Sequence, residues 1–75
     1  MALTLEEAKQ LKPGDILHNA SGQRWKVNGQ VKRWVKSPDR IRVPLKHGLY
    51  AYDYITEGDF DPDGICQMLT KGEPN

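Results

Sequence analysis

From Asp15 onward the apolar residues recur at every second position, in short runs closed by turn residues. This period of two constrains the fold more than any other feature of the chain. Ile16-Leu17-His18 reads as a short strand that ends in Asn19-Ala20-Ser21-Gly22. Arg24-Trp25-Lys26-Val27 and Val31-Lys32-Arg33-Trp34-Val35 alternate strictly, and Arg40-Ile41-Arg42-Val43 alternates again. Leu49-Tyr50-Ala51-Tyr52-Asp53-Tyr54-Ile55 is the clearest strand. Four or five such strands, with turns about every eight to twelve residues, predict a small antiparallel barrel or sandwich.

The first twelve residues follow a different period. Thr4 and Glu7 have capping-box spacing, and Leu5, Ala8 and Leu11, with Leu3 as a possible addition, form one apolar stripe. A helix over residues 4–12 follows, ended by Pro13-Gly14. It is too short to persist alone, so its stripe must dock on the sheet. Asn28-Gly29 is a hairpin signal, but a two-residue loop there would mix apolar and charged residues on both faces. A bent continuous strand, which is the preferred reading, or a three-residue loop with a glycine bulge instead gathers Trp25, Val27, Val31 and Val35 on the core side. Ser37-Pro38-Asp39 reads as the next turn, Pro44 as the limit of the following strand, and Lys46-His47-Gly48 as another turn. Ile65–Leu69 is either a last short strand or one helical turn, and residues 71–75 read as a frayed tail.

The Leu11-Lys12-Pro13-Gly14-Asp15-Ile16-Leu17 opening resembles the start of small SH3-like barrels, including KOW-type and Tudor-type modules. The resemblance covers roughly residues 11–69 and implies a first strand introduced by the Pro-Gly-Asp turn, then short, strongly bent strands. The expectation is a mainly β fold: a small antiparallel SH3-like barrel of four to five strands (residues 15–69) with a short N-terminal helix. The resemblance also implies binding of nucleic acid or protein, without assigning any residue.

Length and composition narrow the function. A chain of 75 residues makes one domain, with a core too small for a deep catalytic pocket. No apolar run approaches the roughly 20 residues that span a bilayer. The start of the chain lacks the basic-then-apolar order of a signal peptide, and Cys66 is the single cysteine, so a reducing cytoplasm is expected.

The net charge of +1 hides a partition. Residues 24–46 carry Arg24, Lys26, Lys32, Arg33, Lys36, Arg40, Arg42 and Lys46 against Asp39 alone, a net of +7, whereas residues 47–75 carry a net of −5. On neighbouring strands these cations form a patch. Alternation sets Trp34 on the side of Lys32 and Lys36, and Arg40 and Arg42 opposite Ile41 and Val43. The candidate binding surface is therefore Arg24, Lys26, Lys32, Trp34, Lys36, Arg40 and Arg42, joined by Tyr50 and Tyr52. An exposed indole among cations suits a stacked base with phosphates alongside. The competing reading has Trp34 cap an open barrel end or cover the helix, with the helix also lying over Tyr50, Tyr52 and Tyr54.

Other chemistry finds little support. Asp59-Phe60-Asp61-Pro62-Asp63-Gly64 opens like a calcium loop, but its twelfth position is Thr70 instead of glutamate. His18, His47 and Cys66 have no paired metal spacing, and no nucleophile motif is present. The expectation is a non-enzymatic module without cofactor, metal or small-molecule substrate, binding nucleic acid, single-stranded by preference. The alternative is an adaptor or inhibitor of a larger protein, a type frequent among bacterial and bacteriophage proteins of this size. A third reading is that the acidic segment 57–63 folds over the basic face and blocks it, or itself mimics nucleic-acid phosphate.

Overall fold

The computed structural model describes residues 2–74; Met1, and Asn75 at the end of the expected tail, lie outside the described residues. Seven strands form one antiparallel sheet: β1 (Ala2–Thr4), β2 (Ile16–Asn19), β3 (Arg24–Val27), β4 (Lys32–Trp34), β5 (Ser37–His47), β6 (Ala51–Thr56) and β7 (Ile65–Lys71). A helix, α1 (Leu5–Lys9), and a 3-10 turn (Glu57–Asp59) complete the chain. The fold is mainly β and antiparallel with a short N-terminal helix, as expected. Strands β2 to β6 form a meander, and β7 returns to lie between β2 and β1. Among the described residues, β1 and β6 pair with nothing along their outer edges, so the sheet is open.

The capping box forms as its spacing predicts: Glu7 N donates to Thr4 Oγ1 (3.1 Å) and Thr4 N to Glu7 Oε1 (3.0 Å). The helix is shorter than residues 4–12. An N-cap must be extended, and Thr4 (φ −96°, ψ 159°) therefore continues a strand that pairs with β7. Leu3 is thus a strand residue, fully buried opposite Cys66, while Ala8 and Leu11 carry the helical stripe into the core. Ile65–Lys71 is a strand, which decides the alternative left open by its sequence. The tail is not frayed through Glu73, because Gly72 N donates to Ile16 O (2.8 Å) and His18 Nδ1 to Gly72 O (2.9 Å).

Pro44 does not end its strand. Strands β3 and β4 run along the same side of β5, with Val27 opposite Leu45 and Lys32 opposite Arg42. Asn28 N donates to Pro44 O (2.9 Å), but proline has no N–H to return the bond, and the ladder breaks there. The chain bulges at Asn28–Val31 and rejoins β5 as β4, so β3 and β4 act as one bent strand. Gly29 crosses the proline ring so closely that a Cβ there would lie 3.2 Å from Pro44 Cγ.

The next turn falls earlier than Ser37-Pro38-Asp39. Trp34 pairs with Ser37, leaving Val35-Lys36 as a two-residue loop. Val35, expected in the core, is 100% exposed at its apex. The core is built instead from Leu17, Val27, Ile41, Val43, Leu45, Ile55 and Leu69, together with Leu3, Ala8, Leu11 and Cys66. Trp25 and Val31 pack against it half-buried.

Candidate nucleic-acid interface

Because Ile41, Val43 and Leu45 of β5 point into the core, Arg40, Arg42, Pro44 and Lys46 point out of the opposite face. The register adds neighbours on both sides. Lys26, Lys46 and Tyr52 form one row across β3, β5 and β6; Lys32, Arg42 and Thr56 form another across β4, β5 and β6. Tyr54, opposite Pro44, lies between the rows. Arg24 follows Lys26 on β3 by alternation, and Trp34 closes the surface at the β4–β5 turn.

Cations lie over every aromatic ring of this face. Arg40 Cζ is 4.3 Å and Lys32 Nζ 4.9 Å from the Trp34 centroid. Arg42 Cζ is 3.9 Å from the Tyr54 centroid, and Lys46 Nζ is 5.5 Å from that of Tyr52. Tyr52 and Tyr54 remain 60% and 49% exposed. The helix does not cover them; it packs on β1 and the start of β5, where Lys9 Nζ reaches Asp39 (2.8 Å) and Glu6 (3.2 Å). Those two carboxylates, Asp39 foremost, raise the Lys9 ammonium above its ordinary pKa.

Of the expected surface, Arg24, Lys26, Lys32, Trp34, Arg40, Arg42 and Tyr52 share this face. Lys36 lies in the β4–β5 loop, and Tyr50 lies in the β5–β6 turn, so neither joins the rows. Lys46, Tyr54 and Glu57 belong to the surface without having been singled out for it. Alternation through Arg40, Arg42 and Pro44 reaches Lys46 once the strand is allowed to pass the proline. Tyr54 follows Tyr52 by the same rule.

Only Arg24 has an acidic partner on this face among the described residues: its Nε and Nη2 reach Glu73 Oε2 (2.7 Å) and Oε1 (2.8 Å). The bond from Arg24 holds the Glu73 carboxyl below the usual carboxylate range. Among the described residues no acid of segment 57–63 forms an ion pair with the cations, although Glu57 borders Arg40 and Arg42. Glu57 accepts from Ile41 N (3.1 Å), Asp59 from Thr56 N (2.8 Å), and Asp61 from Asp63 N and Ile65 N (2.9 and 3.0 Å). Asp61 thereby closes the Asp61–Gly64 turn, which uses the loop's acids as amide acceptors. His18 is turned to Gly72 O, His47 donates Nδ1 to Arg24 O (2.8 Å) and stacks near Trp25, and Cys66 is buried. No three His, Cys, Asp or Glu side chains among the described residues converge as a metal site, and no described helix is long and apolar enough to cross a membrane.

The arrangement offers point charges and guanidinium planes to phosphates, and half-exposed rings to flat ligands. Against known proteins, no family model, curated protein or solved structure matches this chain.

Proposed function

We propose that this protein is a non-enzymatic module that binds single-stranded nucleic acid across the outer face of β3, β4, β5 and β6. One observation carries the reading. Lys26 lies directly opposite Lys46, and Lys32 opposite Arg42, with no acid paired to any of the four. Like charges opposed across strands destabilise a sheet by about 0.2–1 kcal/mol per pair. A polyanion that draws these cations together would offset that cost and gain affinity from counterion release. The neighbouring rings suit unpaired bases, which stack on aromatic and arginine planes without regard to sequence. From Arg40 to Lys46 the surface runs about 20 Å along β5, enough for a short single-stranded stretch.

The strand order supports the SH3-like reading: a meander, a 3-10 turn, then a last strand beside the first of the meander. On this reading the sheet is a barrel left open between β6 and β7, with the N-terminal β1–α1 segment added at one edge. The test is a fluorescence titration of labelled single- and double-stranded DNA and RNA at several salt concentrations. Affinity should fall linearly in log–log form with salt, and Lys32→Ala should make the slope shallower by about one unit. Trp34→Ala should weaken binding with little change of slope. No binding at low salt refutes the reading and leaves a protein partner for this face.

A further inference from the structure

One cleft on the basic face contains a carboxylate. It has a volume of about 380 Å³ and is lined by Trp34, Arg40, Arg42, Tyr54, Thr56 and Glu57, with the Ile41 backbone between the arginines. That volume lies in the usual range of small-ligand sites, about 300–1,000 Å³. Its two walls are stacked pairs, Arg40 on Trp34 and Arg42 on Tyr54.

Glu57 is fixed there by the sheet. The β5–β6 ladder ends at Arg42–Thr56, and the next amide of β5, Ile41 N, donates to Glu57 Oε1 at 3.1 Å in place of a backbone partner. Yet neither Arg40 nor Arg42 comes within ion-pair distance of the carboxylate. A negative group held among unpaired cations repels a phosphate at that spot and attracts hydrogen-bond donors. The ligand that satisfies the whole cleft has a flat ring for the stacked walls, an anion for the arginines and donors aimed at Glu57.

We propose that this cleft is a guanine-reading subsite, in which Glu57 accepts from the N1–H and the 2-amino group while the arginines hold the flanking phosphates. Guanine alone among the four common bases carries two adjacent donors on its Watson–Crick edge. Adenine and cytosine set a ring acceptor beside their amino group, and that acceptor would face the carboxylate; uracil offers one donor between two acceptors. Glu57 is thus a specificity-determining residue, and the inference rests on the single-strand reading above.

The experiment compares labelled single-stranded uridine octamers in which one central base is uracil, guanine, adenine or hypoxanthine, the last lacking only the 2-amino group of guanine. A single guanine per strand avoids guanine self-association. Wild type should bind the guanine octamer about tenfold more tightly than the other three. Glu57→Gln, which keeps an acceptor for Ile41 N, should lose the guanine preference and bind all four octamers alike. Circular dichroism melting of the variant reports whether its fold is intact. Equal binding of all four octamers by wild type overturns the subsite while leaving the single-strand reading in place. A guanine preference that survives in Glu57→Gln overturns the role of Glu57. Binding of none of the octamers at low salt refutes the single-strand reading itself.

Discussion

If the basic face trades stability for binding, one charge reversal should move the two properties in opposite directions. Lys26 is the best position: it is exposed, stacks on no ring, and lies opposite Lys46 in the β3–β5 register. Lys26→Glu removes a like-charge pair and creates an opposite-charge one. Each step is worth about 0.2–1 kcal/mol, so the variant should gain about 1 kcal/mol. For a domain of this size that is about 4–8 °C in Tm. Most of the gain should vanish in about 1 M salt, where the screening length falls to about 3 Å. Nucleic-acid affinity should fall meanwhile, with a salt slope shallower by one unit or more. The assay is thermal unfolding by circular dichroism at low and high salt, beside the fluorescence titration, with Lys26→Gln as an intermediate. A lower Tm, or a gain that ignores salt, would show that Lys26 packs its stem more than it repels Lys46. A higher Tm with undiminished binding would break the link between repulsion and function.

The remaining expectations address the core, the sheet edge and the tail. Val35→Asp should change stability by no more than about 0.5 kcal/mol, whereas Ile41→Ala should cost about 2–5 kcal/mol; chemical denaturation of both variants ranks them, and a large loss at Val35 would contradict its position in the turn. Asp53→Ala frees the Tyr54 amide that Asp53 Oδ1 now accepts at 2.7 Å, on the unpaired edge of β6, and should promote self-association detectable by analytical ultracentrifugation. Glu73 is depressed in the folded state, so its stabilising pair with Arg24 is complete above the unfolded carboxyl pKa of about 4.3 and is lost as pH falls through the folded value. An NMR titration of the Glu73 side chain should therefore give a midpoint below about 4.3, and a midpoint at or above it would mean that the tail is not held in solution.

What could be read in advance was local. The capping box needs only Thr4 and Glu7, three residues apart, and it formed. The alternation of Arg40-Ile41-Arg42-Val43 needs only the pleat, and it set the arginines on the outer face. What could not be read depended on partners far along the chain. Proline usually ends a strand, and Pro44 escapes that rule because β3 breaks opposite it, with Gly29 allowing the close approach. A strand that stops at Pro44 leaves Lys46 in a turn, off the row in which it faces Lys26. Ser37-Pro38-Asp39 has stronger turn chemistry than Val35-Lys36, so local sequence points to the wrong loop and to a core position for Val35. Only the pairing of Trp34 with Ser37 sets the β4–β5 loop at Val35-Lys36. Three-residue β1 is too short for any period, and Glu57 reaches the cleft only because the 3-10 turn carries it back to Ile41.

The segregation of charge along the chain also has a structural cause. Six of the ten carboxylates accept backbone amides: Glu7, Asp15, Asp53, Glu57, Asp59 and Asp61. They sit at a helix start, at turns and along the outer edge of β6, where amides lack ladder partners. Asp53 and Asp59 cover two amides of that edge, Tyr54 N and Thr56 N, which would otherwise be open to pairing with another strand. Glu6 and Asp39 are taken by Lys9. An acid that closes a turn or covers an edge is not available to neutralise a lysine across the sheet. Apart from Glu73 on Arg24 and Glu57 in the Arg40–Arg42 cleft, the acidic C-terminal segment therefore completes the fold without pairing with the cations of β3, β4 and β5, and a near-neutral protein keeps a positive face. That separation makes the expected salt dependence a property of one surface, and Lys32→Ala and Lys26→Glu should alter it while Lys71→Ala, on β7, should not.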